Sequence, residues 1–123
     1  MQDNSALGRA LAMVRDLRRR CPWDRAQTRE TLRPYLVEEV LELDHALGDG
    51  DPAAIRSEVS DLLLHLAFQL VIAEETGVFS RHDVVRGAVV DAVNRVEAEA
   101  VEVELVDPVA GVADEVLAHG RRI

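Results

Sequence analysis

Between residues 36 and 66 the chain carries two apolar helical stripes interrupted by Gly48-Asp49-Gly50-Asp51-Pro52. This is the strongest turn signal in the sequence, because glycine ends helices, aspartate caps them and proline suits a first turn. Leu36, Val40, Leu43 and Leu47 recur at helical spacing before it, and a long apolar segment follows Pro52 to about Gly77. Two helices joined by so short a turn must run antiparallel. The same segments carry Glu39, Glu42, Glu58 and Asp61, although carboxylates are costly to bury.

The flanking segments also read as helices. Leu7, Leu11, Val14 and Leu17 follow Ser5 at helical spacing and end in Arg18, Arg19 and Arg20, cations that suit a helix C-terminus. Cys21-Pro22-Trp23-Asp24 interrupts, and Asp24 with Gln27 three residues later reads as a capping-box start for a second helix. Pro34 predicts a kink there, or a later start. Ser80 opens a further helix with Val84, Ala88 and Arg95 along it. From Val96 the pattern alternates in part, so helix and strand compete, and residues 112–119 read as one short helix or remain loose. Residues 62–72 are apolar nearly all round, which predicts burial on more than one side and hence subunit association. The expected architecture is all-α: a four-to-five-helix antiparallel bundle, oligomeric, forming one domain over residues 1–123. Its core spans about residues 5–100, followed by a tail over 101–123.

At 123 residues and 48% apolar content, the chain suffices for one core. A formal net charge of −9 argues against nucleic-acid binding, which leaves a basic footprint. The single cysteine, Cys21, excludes an internal disulfide and suits a reducing compartment. No membrane span or secretory signal is present in the sequence, and a cytoplasmic location is expected.

At about 100° per residue, Glu39 and Glu42 lie about 60° apart and flank their apolar stripe; Glu58 and Asp61 repeat the offset beside Ile55 and Leu62. Antiparallel packing through those stripes converges four carboxylates on one small volume. Unneutralised, they would repel or take up protons. A divalent cation removes the conflict, and oxygen-only ligands suit Mg²⁺, with Mn²⁺ as a substitute. Mg²⁺ commonly binds together with substrate phosphates, so it would supply the positive charge that this acidic chain lacks. Glu38, rotated by about 100° from Glu39, is the candidate base for a catalytic water.

Cys21-Pro22-Trp23-Asp24, Gln27-Thr28, the Glu38–Glu42 run EEVLE and the Glu58–Leu63 run EVSDLL, in that order, resemble the MazG-like nucleoside triphosphate pyrophosphohydrolases, in their small single-domain branch. The similarity covers about residues 11–95. It implies an all-α fold, assembly as a homodimer or homotetramer, and Mg²⁺-dependent hydrolysis of nucleoside triphosphates, non-standard ones included, to monophosphate and pyrophosphate. Glu39, Glu42, Glu58 and Asp61 fall at the metal-ligand positions. Trp23 is placed either to stack on a nucleobase, with Asp24 and Gln27 as polar contacts, or to anchor its loop in the core with Asp24 capping a helix. His65, one turn after Asp61, reads as a packed residue or a partner of the ligands. In the fourth helix the chain departs from the family pattern: Ala92 stands at the lysine position and only Arg95 of an arginine pair remains, leaving Asn94 and Arg95 as candidate phosphate contacts. That departure implies an alternative, a metal- and nucleotide-binding regulatory module with weak or no catalysis.

Overall fold

Ser5 opens the first helix by accepting the Gly8 N–H on its hydroxyl at 3.0 Å, which satisfies one of the unpaired donors of the first turn. The structure, a computed structural model, describes residues 4–99. These form α1 (Ala6–Arg20), α2 (Pro22–Ala26), α3 (Arg33–Asp49), α4 (Pro52–Glu75) and α5 (Arg81–Glu99), with no strand among the described residues. The tail over 101–123, with its predicted short helix, lies outside them.

Proline sets three of the starts. Pro22 occupies the first turn of α2, so Cys21 is the N-cap and the capping box expected at Asp24 does not form. Asp24 sits within that first turn and Gln27 is the C-cap. Pro34 likewise falls in the first turn of α3, giving a later start rather than a kink. At the central turn Gly50 adopts a left-handed conformation, φ 77°, and donates its N–H to the Ala46 carbonyl. Asp51 then accepts the Ala53 N–H at 3.2 Å, and Pro52 begins α4. Reciprocal bonds between Ser80 and Asp83 cap the first turn of α5, which remains helical through residues 96–99, where helix and strand readings compete in the sequence. Local i to i+4 hydrogen bonding needs no partner, whereas a strand would need one.

Packing centres on α4. It lies against α3 along the hairpin and against α1, while α2 packs on α1. The buried cluster comprises Leu11 and Val14 of α1, Leu32, and Ala67, Phe68, Leu70, Val71 and Ile72 of α4. The apolar core therefore occupies the C-terminal half of α4. Its N-terminal half carries Glu58 and Asp61.

One expectation about packing is corrected. On α3, Val40 and Leu47 are exposed while Ala46 is buried, so the contact face is rotated from the expected stripe. On α4, the apolar stretch is covered on more than one side in its second half, where Ala67, Phe68, Leu70, Val71 and Ile72 are buried, while Leu63, Leu64 and Leu66 are about half exposed. Along α5, Val84, Val85, Val89, Val90, Val93 and Val96 are exposed as well.

Glu74 ties three helices together. Its carboxylate accepts the Arg81 guanidinium at 2.7 and 3.0 Å, the Arg81 N–H at 3.0 Å and Arg15 Nη2 at 3.1 Å. The Arg81 bonds hold its pKa down at about 2 despite partial burial. Because the folded value lies below the unfolded one, Glu74 contributes stability above about pH 4.5 that is lost as pH falls toward 2. Glu74→Gln is expected to cost about 1–3 kcal/mol at pH 7 and to lose part of that penalty by pH 3, measured by urea unfolding at the two pH values.

Candidate functional site

The α3–α4 hairpin buries a seam with alternating spacings of three and four residues, the repeat that keeps one face of each helix toward its partner. On the first side run Leu32, Leu36, Glu39, Leu43 and Ala46; on the second, Ile55, Glu58, Leu62, His65, Gln69 and Ile72. All are buried or half-buried. Glu39, Glu58 and His65 thus stand at positions where packing alone would favour apolar residues. Among the described residues, the buried side-chain nitrogen and oxygen atoms without a hydrogen-bond partner are Glu39 Oε2, Glu58 Oε2 and His65 Nδ1. Every one belongs to this seam. A buried polar atom left unpaired costs about 1–3 kcal/mol, so three in one place need a reason beyond folding.

Glu39, Glu58 and Asp61 each present a carboxylate oxygen, and these oxygens lie within 4.8 Å of one another. Burial pushes the Glu39 pKa up to about 7, with the charges of Glu42, Asp61 and Glu58 adding to the effect. Glu58 is also raised, first by burial, then by a proton shared with Glu42 and by neighbouring negative charge. Glu42 therefore faces both residues, although its side chain is more exposed. The donor set is all oxygen, two of the oxygens are buried without donors, and the cluster carries repelling charge. These features fit Mg²⁺ or Mn²⁺.

The metal-free protein has a characteristic pH response. The folded Glu39 pKa lies above the unfolded value, so its favourable contribution is fully present below about pH 4.5 and is lost as pH rises through about 7. Glu39→Gln is expected to flatten this dependence and raise the melting temperature at pH 7.5. Thermal melts in EDTA at pH 5 and 7.5 test it; an unchanged pH slope would place the titrating group elsewhere.

An aromatic row leads to the carboxylates. Trp23 meets Tyr35 edge to face, with centroids 5.9 Å apart, and Tyr35 stacks on His65 at 6.5 Å and 11°. His65 Nε2 lies 4.0 Å from Glu39 Oε1. Trp23 is 52% exposed, so it does not anchor the core. Tyr35 is a residue that sequence reasoning missed. Its position one turn before Glu39 places both on one side of α3, a signal the spacing contained.

The other candidates lie differently. Asp24 and Gln27 give their backbone carbonyls to Arg18 Nη1 at 2.8 and 3.0 Å, fixing the α2 segment to α1. The Gln27 side chain bonds the Trp23 carbonyl and the Thr31 hydroxyl. Arg15 and Arg18 are engaged with Glu74 and Glu75. Glu38 is exposed beside Glu39. Asn94 and Arg95 are exposed on α5, which is not among the helices packed closely around α4.

Comparison with known proteins gives this geometry a context. Over 66 residues the chain is 44% identical to the nucleoside triphosphate pyrophosphohydrolase/pyrophosphatase MazG of Thermotoga maritima, covering 54% of this chain and 26% of that protein. It is 38% identical over 71 residues to the nucleoside triphosphate pyrophosphohydrolase of Escherichia coli K12, covering 58% and 27% respectively. With the nucleoside triphosphate pyrophosphohydrolase of Mycolicibacterium smegmatis it shares 38% identity over 99 residues, covering 79% and 31%. The chain thus matches about a third or less of these relatives' length. The family model for the MazG nucleotide pyrophosphohydrolase domain matches residues 27–90, a span holding the whole α3–α4 hairpin and its carboxylates, and the chain belongs to that family.

Proposed function

We propose that the protein hydrolyses nucleoside triphosphates, non-standard ones included, between the α and β phosphates, releasing a monophosphate and pyrophosphate. The observation that carries this reading is the oxygen cluster of Glu39, Glu58 and Asp61 on a seam whose buried polar atoms lack partners. The names of the relatives support the same chemistry. Glu39, Glu42, Glu58 and Asp61 would hold Mg²⁺, with Mn²⁺ as a substitute. When bound, the ion supplies positive charge to the phosphate oxygens and acidifies water. Glu38 takes the proton of the attacking water, and its exposure beside Glu39 leaves it open to solvent.

Trp23, half exposed at the end of the aromatic row, is the surface offered to the base. Asp24 and Gln27 act mainly by shaping that segment, since their carbonyls hold Arg18. Asn94 and Arg95 are assigned to phosphate contact from a neighbouring subunit or on closure of α5. Assembly as a homodimer or homotetramer is supported by the uncovered apolar residues of α4 and α5. No described helix is long and apolar enough to cross a membrane; a cytoplasmic location is part of the proposal.

A screen of standard and modified nucleoside triphosphates with Mg²⁺ and Mn²⁺ tests the reading, with monophosphate, diphosphate and pyrophosphate scored separately. Monophosphate and pyrophosphate in equal amounts are expected. A diphosphate product contradicts the cleavage position, while Mg²⁺-dependent nucleotide binding without any product favours a regulatory module. That second reading has its own observation in Ala92, a methyl side chain where the family pattern implies a lysine.

A further inference from the structure

His65 lies on the same seam, yet the proposed chemistry gives it no task. It is 18% exposed, stacked on Tyr35, with Nε2 at 4.0 Å from Glu39 Oε1 and Nδ1 buried without a partner. An apolar side chain would fill this position without stranding a nitrogen, so packing alone does not account for it. A neutral imidazole has one N–H and one acceptor nitrogen. Placing the proton on Nε2 directs the N–H toward Glu39 and leaves Nδ1 as a bare acceptor. The opposite tautomer would bury an unpaired donor and turn a lone pair toward a carboxylate. Tyr35 lies parallel against the ring and Trp23 meets Tyr35 at 81°, so the imidazole plane is supported from outside the cluster.

The two oxygens of Glu39 are therefore unequal. Oε1 faces His65, whereas Oε2 is buried and unpartnered. The 4.0 Å separation exceeds a hydrogen bond by about 1 Å, a gap that small side-chain rotations of two half-buried residues can close. From this arrangement we infer that His65 is a positioning residue: its Nε2–H holds Glu39 Oε1 and so presents Oε2 to the divalent cation. This rests on the carboxylates being a cation site. It adds a role for a side chain that supplies no ligand atom itself. Groups that orient a ligand typically change metal affinity by about 10- to 100-fold when removed.

The test uses the full chain, freed of metal, titrated with Mn²⁺ by calorimetry and by the loss of the free-ion paramagnetic signal. His65→Leu should bind Mn²⁺ about 10- to 100-fold more weakly. His65→Gln, which keeps an N–H donor, should recover most of that loss. The melting temperature of His65→Leu without metal should equal or exceed that of the parent, because an unsatisfied nitrogen is removed; weaker binding then cannot come from unfolding. Nitrogen-15 shifts of His65 should show the proton on Nε2. Unchanged Mn²⁺ affinity in His65→Leu, or equal losses in the leucine and glutamine variants, would overturn the inference while leaving the cation site intact. Absence of Mn²⁺ binding in the parent would instead overturn the cation site, and the role of His65 with it.

Discussion

Asp61→Asn is expected to lower pyrophosphate release by at least about a hundredfold at saturating Mg²⁺, with little change in the melting temperature of the metal-free protein. Asp61 is exposed, so the apolar core does not depend on it. Its carboxylate oxygen nevertheless lies within 4.8 Å of those from Glu39 and Glu58. The change keeps the side chain's size and removes one negative charge from the donors that would hold Mg²⁺. Steady-state assays of monophosphate and pyrophosphate, paired with thermal melts, separate lost chemistry from lost fold. Full turnover by both Asp61→Asn and Glu42→Gln would refute the assignment of the site. The same substitutions should ease the repulsion within the cluster, so a variant that is inactive but no less stable is the characteristic outcome. Ordinary core damage produces the reverse.

The second large effect is expected from Leu11→Ala, with a loss of about 3 kcal/mol in urea unfolding, from a total of about 5–15 kcal/mol for a domain of this kind. Leu11 is fully buried and belongs, with Val14, to the cluster around Val71 and Phe68. This cluster joins α1 to the C-terminal half of α4. The carboxylates occupy the other half of α4, where it pairs with α3. Below the unfolding transition, Leu11→Ala should therefore retain cation affinity within about threefold, because changes at separated sites act nearly independently. A large loss of Mn²⁺ affinity in the still-folded variant would show that core and site are coupled.

Much of the helical order was legible because its signals are local. Ser5, Gly50, Asp51, Pro52 and Ser80 each act through bonds or dihedral preferences within a few residues. The Asp24 start was misread for the same reason: two local signals competed, and Pro22 at a first turn prevailed. The four acidic candidates were legible from their repeated spacing and their place beside apolar residues. What spacing did not reveal was that Glu39 lies within the helix contact itself. Val40 makes an equally regular stripe, and one position around a helix changes direction by only about 100°.

By itself, then, the sequence determined an all-α chain, a sharp antiparallel turn at Gly50 and Asp51, and two acid pairs on the helices that turn joins. Caps, turns and helical periodicity are encoded over a few residues, so they can be read without knowing what packs against them. The tertiary structure decided which helix faces meet: Ala46 rather than Leu47, and Glu39 rather than Val40. It also brought Trp23, Tyr35 and His65 into a row ending at Glu39. Those choices depend on how the two helices rotate against each other to bury the most apolar surface, and that is a property of the pair, not of either segment alone.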